Sequence, residues 1–294
     1  MSVKESEEFL KMSDGFSLFA RRWSPNVKAE KTLVCIHGLG GHSGGFIGIG
    51  RSLAAFGIEV WGLDLRGFGN SKEPDLPRGD TRDFKRHLQD LNEAVNLIRA
   101  SSQSQKLFML GHSLGGLYVL WYAAKFPDSS EGLIIAAPAI EVKQKMTQQD
   151  REKFPFLVAN APETMIESTN ASKLKALENS SLKNQPLLKL FTVTFSARYF
   201  AGVGMVLMRD KVFLNAAEVK KPTLILQGDM DEEALPTGAK RLFESLAVTD
   251  KKLELVPGAR HALHGAIFSY FHGEDDPEKK ELVFSAVKDW LKAH

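Results

Sequence analysis

One cysteine in 294 residues, Cys35, excludes an intrachain disulfide framework and a thiolate-rich metal centre. It sits in the strand-like run Leu33-Val34-Cys35-Ile36 with no polarising neighbour, so it reads as a small buried hydrophobe and not as a nucleophile. No stretch approaches the ~18 uninterrupted apolar residues of a membrane-spanning helix. The opening residues Met1-Ser-Val-Lys-Glu-Ser-Glu-Glu8 lack the apolar core of a signal peptide, which leads to the expectation of a cytoplasmic protein. Charge of one sign is missing too: 38 Lys and Arg balance 36 Asp and Glu to a net +2, so no general field draws in nucleic acid. There is no H-E-x-x-H, no Cys/His cluster, no repeated Asp loop, and no G-x-G-x-x-G opening a helix. No metal and no dinucleotide or other cofactor is therefore expected.

What is there is an alternation of strand and helix signals, the pattern of a mostly parallel sheet covered on both faces. Glu8 to Met12 and Ser17 to Trp23 form a hairpin across Asp14-Gly15. Then come a strand Thr32–Ile36, a helix Phe46–Ala55, a strand Glu59–Asp64, a helix Phe84–Arg99, a strand Lys106–Leu110, a helix Leu117–Phe126 and a strand Gly132–Ala137. After Pro138 the alternation stops for about eighty residues of helical patterning, and it resumes with strands at 223–227 and 252–256 and helices at 237–246 and 277–291. The expected division is one α/β core, 1–138 and 219–294, with a helical cap inserted at 139–218.

Chemistry concentrates at Gly111-His112-Ser113-Leu114-Gly115, a G-x-S-x-G pentapeptide between a buried strand and an amphipathic helix. A serine there is lifted clear of the sheet on a sharp turn that small flanking residues permit. Gly41-His42-Ser43-Gly44-Gly45 fits the same pattern but lies in a glycine-rich loop, so Ser43 reads as a loop or helix-capping residue.

An activated serine needs a base, a carboxylate to hold that base in one tautomer, and donors for an oxyanion. Parallel strands gather such groups at their carboxyl ends. Asp229 and Asp231 follow the strand at 223–227, and His261 and His264 follow the strand at 252–256. Ser113, Asp231 and His261 are the expected set, with Asp229 and His264 as the possible replacements. The backbone N–H groups of Leu39, in His37-Gly-Leu-Gly40, and of Leu114 are the expected oxyanion donors. His42, His87, His272 and His294 have no strand-end context, and Asp64-Leu-Arg66-Gly-Phe-Gly69-Asn-Ser71 reads as a scaffolding loop in which Arg66 could pair with Asp64.

Taken together, His37-Gly-Leu-Gly40, Asp64-x-Arg-Gly-x-Gly-x-Ser71, Gly111-His-Ser-Leu-Gly115, Gln227-Gly-Asp-Met-Asp231 and Gly258-Ala-Arg-His-Ala-Leu-His264 resemble the monoacylglycerol lipase and lysophospholipase branch of the α/β-hydrolases, the group that also holds the S33-type serine aminopeptidases. The resemblance runs from about residue 10 to the C-terminus and weakens inside 139–218. It implies an α/β-hydrolase fold, cleavage of carboxylic esters with one long acyl chain, a cap over the serine, no cofactor, and Ser113 as nucleophile, Asp231 as orienter and His261 as base.

The chain departs from that pattern where the family carries a Glu and an Arg-Tyr pair for the glycerol end, since it has Gly41 and Gly45-Phe46. A glycerol diol needs paired polar partners to be selected, so a less polar alcohol or another lipid-like ester is expected. His264 remains from the head-group set, and the apolar stretch Phe191–Met208, with Phe195, Tyr199 and Met205, is a candidate acyl channel or a transient membrane contact. A thioesterase, amidase or aminopeptidase would use the same three residues, and a binding protein on the same fold would need none of them.

Overall fold

Alternate residues of the central strands face opposite sides of one sheet, and both sides are apolar. In β3 (Lys31–Ile36), Val34 and Ile36 join a core built with α2 (Arg86–Ser101) and α3 (Leu114–Lys125), while Leu33 and Cys35 join a second core built with α1 (Ile47–Ala55) and α8 (Pro277–Ala293). That two-sided burial explains why the strand reads as a continuous apolar run. The computed structural model describes residues 3–102, 104, 106–143, 148–168, 186–208, 210–267 and 276–294.

The remaining strands are β1 (Val3–Lys11), β2 (Ser17–Pro25), β4 (Ile58–Leu63), β5 (Lys106–His112), β6 (Gly132–Ala136), β9 (Thr223–Gly228) and β10 (Lys251–Val256). The eight lie in the order β1-β2-β4-β3-β5-β6-β9-β10. β1 pairs antiparallel with β2, β2 antiparallel with β4, and the other pairs are parallel. Parallel strands of one sheet end on one edge, so the segments after β3, β5, β9 and β10 converge.

In the segment 139–218 the described elements are α4 (Gln148–Asn160), β7 (Met165–Glu167), a 3₁₀ turn at Pro186–Leu190, β8 (Thr194–Ser196), α5 (Ala197–Gly202), a π-turn at Val203–Leu207 and α6 (Asp210–Glu218). The expectation of a purely helical insertion is corrected here: β7 and β8 pair antiparallel as a two-stranded sheet. Three-residue strands are too short to leave a period in the sequence. The part of this segment at 169–185 lies outside the described residues, as does His272. α7 (Pro236–Ser245) follows β9 and completes the layer.

Two local expectations are also corrected. Arg66 does not pair with Asp64; its guanidinium donates to both carboxylate oxygens of Asp90, at 2.7 and 2.9 Å, and to Asp14 at 2.8 Å. Asp64 instead accepts the N–H groups of Ser43 at 2.6 Å and Asn70 at 2.7 Å, tying the two loops together. The cap of the 3₁₀ turn Ser43–Phe46 is made by His42, whose Nδ1 accepts from Gly44 N–H at 3.1 Å, rather than by the Ser43 hydroxyl.

Candidate active site

Between β5 and α3 the chain reverses over one residue. Ser113 has φ 55° and ψ −121°, a conformation L-residues avoid and one held here by tight surroundings. Gly111 and Gly115 are required by contact: a Cβ on Gly111 would collide with the Gly115 carbonyl, and one on Gly115 would stand 2.7 Å from the His37 oxygen. Ser113 N–H donates to the Ala136 carbonyl of the neighbouring strand at 2.8 Å, which anchors the turn to the sheet.

Three side chains from three strand ends meet at this turn. The Ser113 hydroxyl donates to His261 Nε2 at 2.9 Å, and His261 Nδ1–H donates to Asp231 Oδ2 at 2.8 Å. Asp231 is 2 % exposed, and all four lone-pair positions are used: Gln227 Nε2–H donates to Oδ2 at 3.1 Å, and the N–H groups of Glu233 and Ala234 donate to Oδ1 at 2.8 and 2.9 Å. Burial pushes this carboxyl up, but the His261 hydrogen bond and charge and the two N–H donors outweigh it and hold it below the ordinary value. The site thus keeps a carboxylate, not an acid, against Nδ1. With that ring nitrogen committed as a donor, Nε2 carries the lone pair that can take a proton from the serine.

The two alternatives are placed elsewhere. Asp229 is exposed and accepts Gly258 N–H at 2.7 Å. His264 is 3 % exposed, and its Nε2–H donates to the Pro257 carbonyl at 3.1 Å. Of the stretch considered for substrate, Phe195 and Tyr199 are buried among aromatic rings and Met205 is 67 % exposed on the π-turn.

The loop after β3 lies directly against the serine, for a Cβ on Gly38 would stand 2.8 Å from Ser113 Cβ and 3.4 Å from Oγ. Gly41 N–H donates to the Gly38 carbonyl at 3.1 Å and closes a turn with Gly40 at φ 71°, the third-position geometry that glycine satisfies in a type II turn. Leu39 N–H, second in that turn, makes no hydrogen bond among the described residues. Leu114 N–H belongs to the first turn of α3, where the helix has no carbonyl for it.

Sequence reasoning missed two positioning groups. Gln227 ends an apolar strand, a buried polar residue that was the available signal, and its amide also donates to Gly228 and Ala234 carbonyls at 3.1 Å each. His112 lies behind the base, its Nε2 2.9 Å from the His261 carbonyl.

His37 is wholly buried, with Nδ1–H donating to the Gly38 carbonyl at 2.8 Å and Nε2 accepting Leu65 N–H at 3.0 Å. Burial lowers His37 to about 4 and His42 to about 3, so both are neutral when folded and protonate on unfolding below pH 6.5. Between pH 6.5 and 4 the unfolded chain binds more protons, and stability falls with pH. These two residues alone are expected to contribute a slope of roughly 2 to 2.5 kcal/mol per pH unit near pH 5, stability falling as the pH falls. Chemical denaturation from pH 7 to 4.5 measures it; half the slope would show that one ring is protonated in the fold, and a flat profile that both are.

The family described as serine aminopeptidase, S33, matches residues 27–266. The chain is 26 % identical over 283 residues to the rat monoglyceride lipase, covering 95 % of this chain and 88 % of that one. It is 24 % identical over 275 residues to the monoacylglycerol lipase of Mycolicibacterium smegmatis, covering 92 % and 91 %. The crystal structure of the Paleococcus ferrophilus monoacylglycerol lipase superposes with a TM-score of 0.70 at 25 % identity over the full length of both chains.

Proposed function

The chain belongs to the serine aminopeptidase S33 family of α/β-hydrolases, and from that membership we propose a monoacylglycerol-lipase-like serine esterase that cleaves carboxylic esters of lipid type. The observation that carries the reading is the unbroken line from Ser113 Oγ through His261 to the Asp231 carboxylate, at 2.9 and 2.8 Å. The relatives named as lipases favour an ester over the amide in the family's description.

In this mechanism Ser113 Oγ attacks the ester carbonyl while His261 Nε2 takes its proton, and the carbonyl electron pair moves onto oxygen between Leu39 N–H and Leu114 N–H. The tetrahedral adduct collapses, the C–O bond to the alcohol breaks, and His261 returns the proton to the departing oxygen. Water then repeats the sequence on the acyl-enzyme. The described parts of the segment 139–218 are read as belonging to the cap, and among the described residues no helix is long and apolar enough to cross a membrane.

The alcohol end follows from what the loop lacks. Gly41 and Gly45 carry no side chains, Phe46 is buried, and His264 has its Nε2–H on Pro257. With no paired partners for a diol in this loop among the described residues, a glycerol monoester should have a kcat/KM within about threefold of the ethyl ester of the same acid. Rates on both esters, and on p-nitrophenyl esters from acetate to palmitate with a serine-directed phosphonate and intact mass, test the proposal. Turnover with a single adduct on Ser113 is expected. Absence of both turnover and adduct would overturn the esterase reading, and a hundredfold preference for the glycerol ester would overturn only the reading of the alcohol end.

A further inference from the structure

Resting on that esterase reading, we propose that Asp80, outside the Ser113–His261–Asp231 set, is a positioning residue that holds the oxyanion turn in shape through the cap segment 192–199.

Asp80 lies in the loop between β4 and α2 and is 1 % exposed. Among the described residues, every side-chain donor on its carboxylate comes from the cap. The Ser196 hydroxyl donates to Oδ1, Arg198 Nε–H donates to Oδ1 at 2.7 Å, and Arg198 Nη2–H donates to Oδ2. A two-pronged guanidinium–carboxylate pair fixes direction as well as distance. Beside it, Ser196 N–H donates to the Gly79 carbonyl at 3.1 Å, and Ser196 Oγ caps α5 by accepting Tyr199 N–H at 3.1 Å.

Four residues earlier in the same segment, Thr192 N–H donates to the Gly40 carbonyl at 2.9 Å. The contact has no slack. A Cβ on Gly40 would collide with the Thr192 carbonyl and stand 3.1 Å from the Phe195 ring, and a Cβ on Gly79 would collide with the Thr194 carbonyl. Phe195 and Tyr199 fill the space behind, with ring centres 5.8 Å apart and packed on Phe68 at 6.1 and 5.2 Å. The segment is therefore fastened at one end to Asp80 and Gly79 and at the other to Gly40, the third residue of the turn that presents Leu39 N–H.

The stretch 192–199 is therefore held against the core at both ends. The carboxylate contributes more than adhesion. A buried charge is a costly way to glue two segments that apolar side chains would join as well, whereas a forked pair sets their register, which the Leu39 donor requires.

The test is Asp80→Asn, which keeps an acceptor for Ser196 but gives up the forked charge pair. Loss of a whole oxyanion donor costs about 10²–10³ in kcat, so a displaced one should cost about 10- to 100-fold, with KM within about threefold. An alkyl boronic acid, which forms a tetrahedral adduct on the serine, should weaken in parallel with kcat/KM. Arg198→Lys, whose side chain is partly exposed, keeps the charge without the fork and serves if Asp80→Asn does not fold; a drop of about 3- to 10-fold is expected. A lower melting temperature with unchanged kcat and boronate affinity would reduce Asp80 to structural adhesion, and a change in KM alone would reassign it to substrate binding. Wild-type protein that lacks turnover and a Ser113 adduct would overturn the esterase reading and this inference with it, whereas normal wild-type turnover with an unaffected variant overturns the inference alone.

Discussion

Ser113→Ala is expected to lower kcat/KM for a p-nitrophenyl ester by about 10⁵-fold or more, because no other nucleophile among the described residues bonds to His261 Nε2. Nothing else in the site should move. The His261–Asp231 bond at 2.8 Å does not involve the serine, and the turn is held by Ser113 N–H on Ala136 and by close packing at Gly111 and Gly115. Alanine has a Cβ, so it inherits the strain of φ 55° and ψ −121°, and thermal stability should stay near wild type. Glycine has none, so Ser113→Gly should be equally inactive yet more stable than the alanine variant by about 1–2 kcal/mol. Activity assays and denaturation of the pair check both halves. Turnover retained by either variant sinks the covalent mechanism, and equal stability of the two removes the claim of strain.

Asp231→Asn should cost about 10³- to 10⁴-fold in kcat with little effect on KM, through a change of tautomer rather than of shape. Four donors converge on the carboxylate: Glu233 and Ala234 N–H on Oδ1, and His261 and Gln227 on Oδ2. An asparagine placed here keeps its oxygen on the two backbone donors, which leaves its NH₂ facing His261. Nδ1 must then accept, the proton moves to Nε2, and the ring presents a donor where the serine needs an acceptor. Gln227, also a donor at 3.1 Å, opposes the new NH₂ and adds to the loss. Phosphonate labelling of Ser113 should slow in proportion to kcat, since both steps need the same proton acceptor. Less than a tenfold loss would show that the His261 ring does not depend on this carboxylate for its tautomer.

Much of this site could be read from the chain because each functional group lies at the end of an element with its own local signal. Gly111-x-Ser113-x-Gly115 sits between a buried strand and a helix, and those glycines meet backbone atoms so close that any side chain would collide. Asp231 and His261 follow strands whose apolar runs are plain. Gln227 and His112 passed without a role, since a polar residue beside an apolar strand does not declare which atom it will face. The pairing of Arg66 went wrong for a related reason: Asp64 is its near neighbour in sequence, but Asp90, one layer away on α2, meets the guanidinium with two oxygens.

The sequence by itself determined the alternation of strands and helices, and with it a parallel sheet whose carboxyl ends collect Ser113, Asp231 and His261 in that chain order. Period and turn chemistry are local properties, so composition over ten or fifteen residues suffices to state them. The tertiary structure alone decided that Asp231 rather than Asp229 reaches His261, that His264 is tied to Pro257, that β7 and β8 pair inside the inserted segment, and that Asp80 meets Ser196 and Arg198. Apart from His264 and Pro257, seven residues apart, those are contacts between residues distant in the chain. Their geometry is set by how layers pack and which backbone groups approach within 3 Å, which no window of sequence contains.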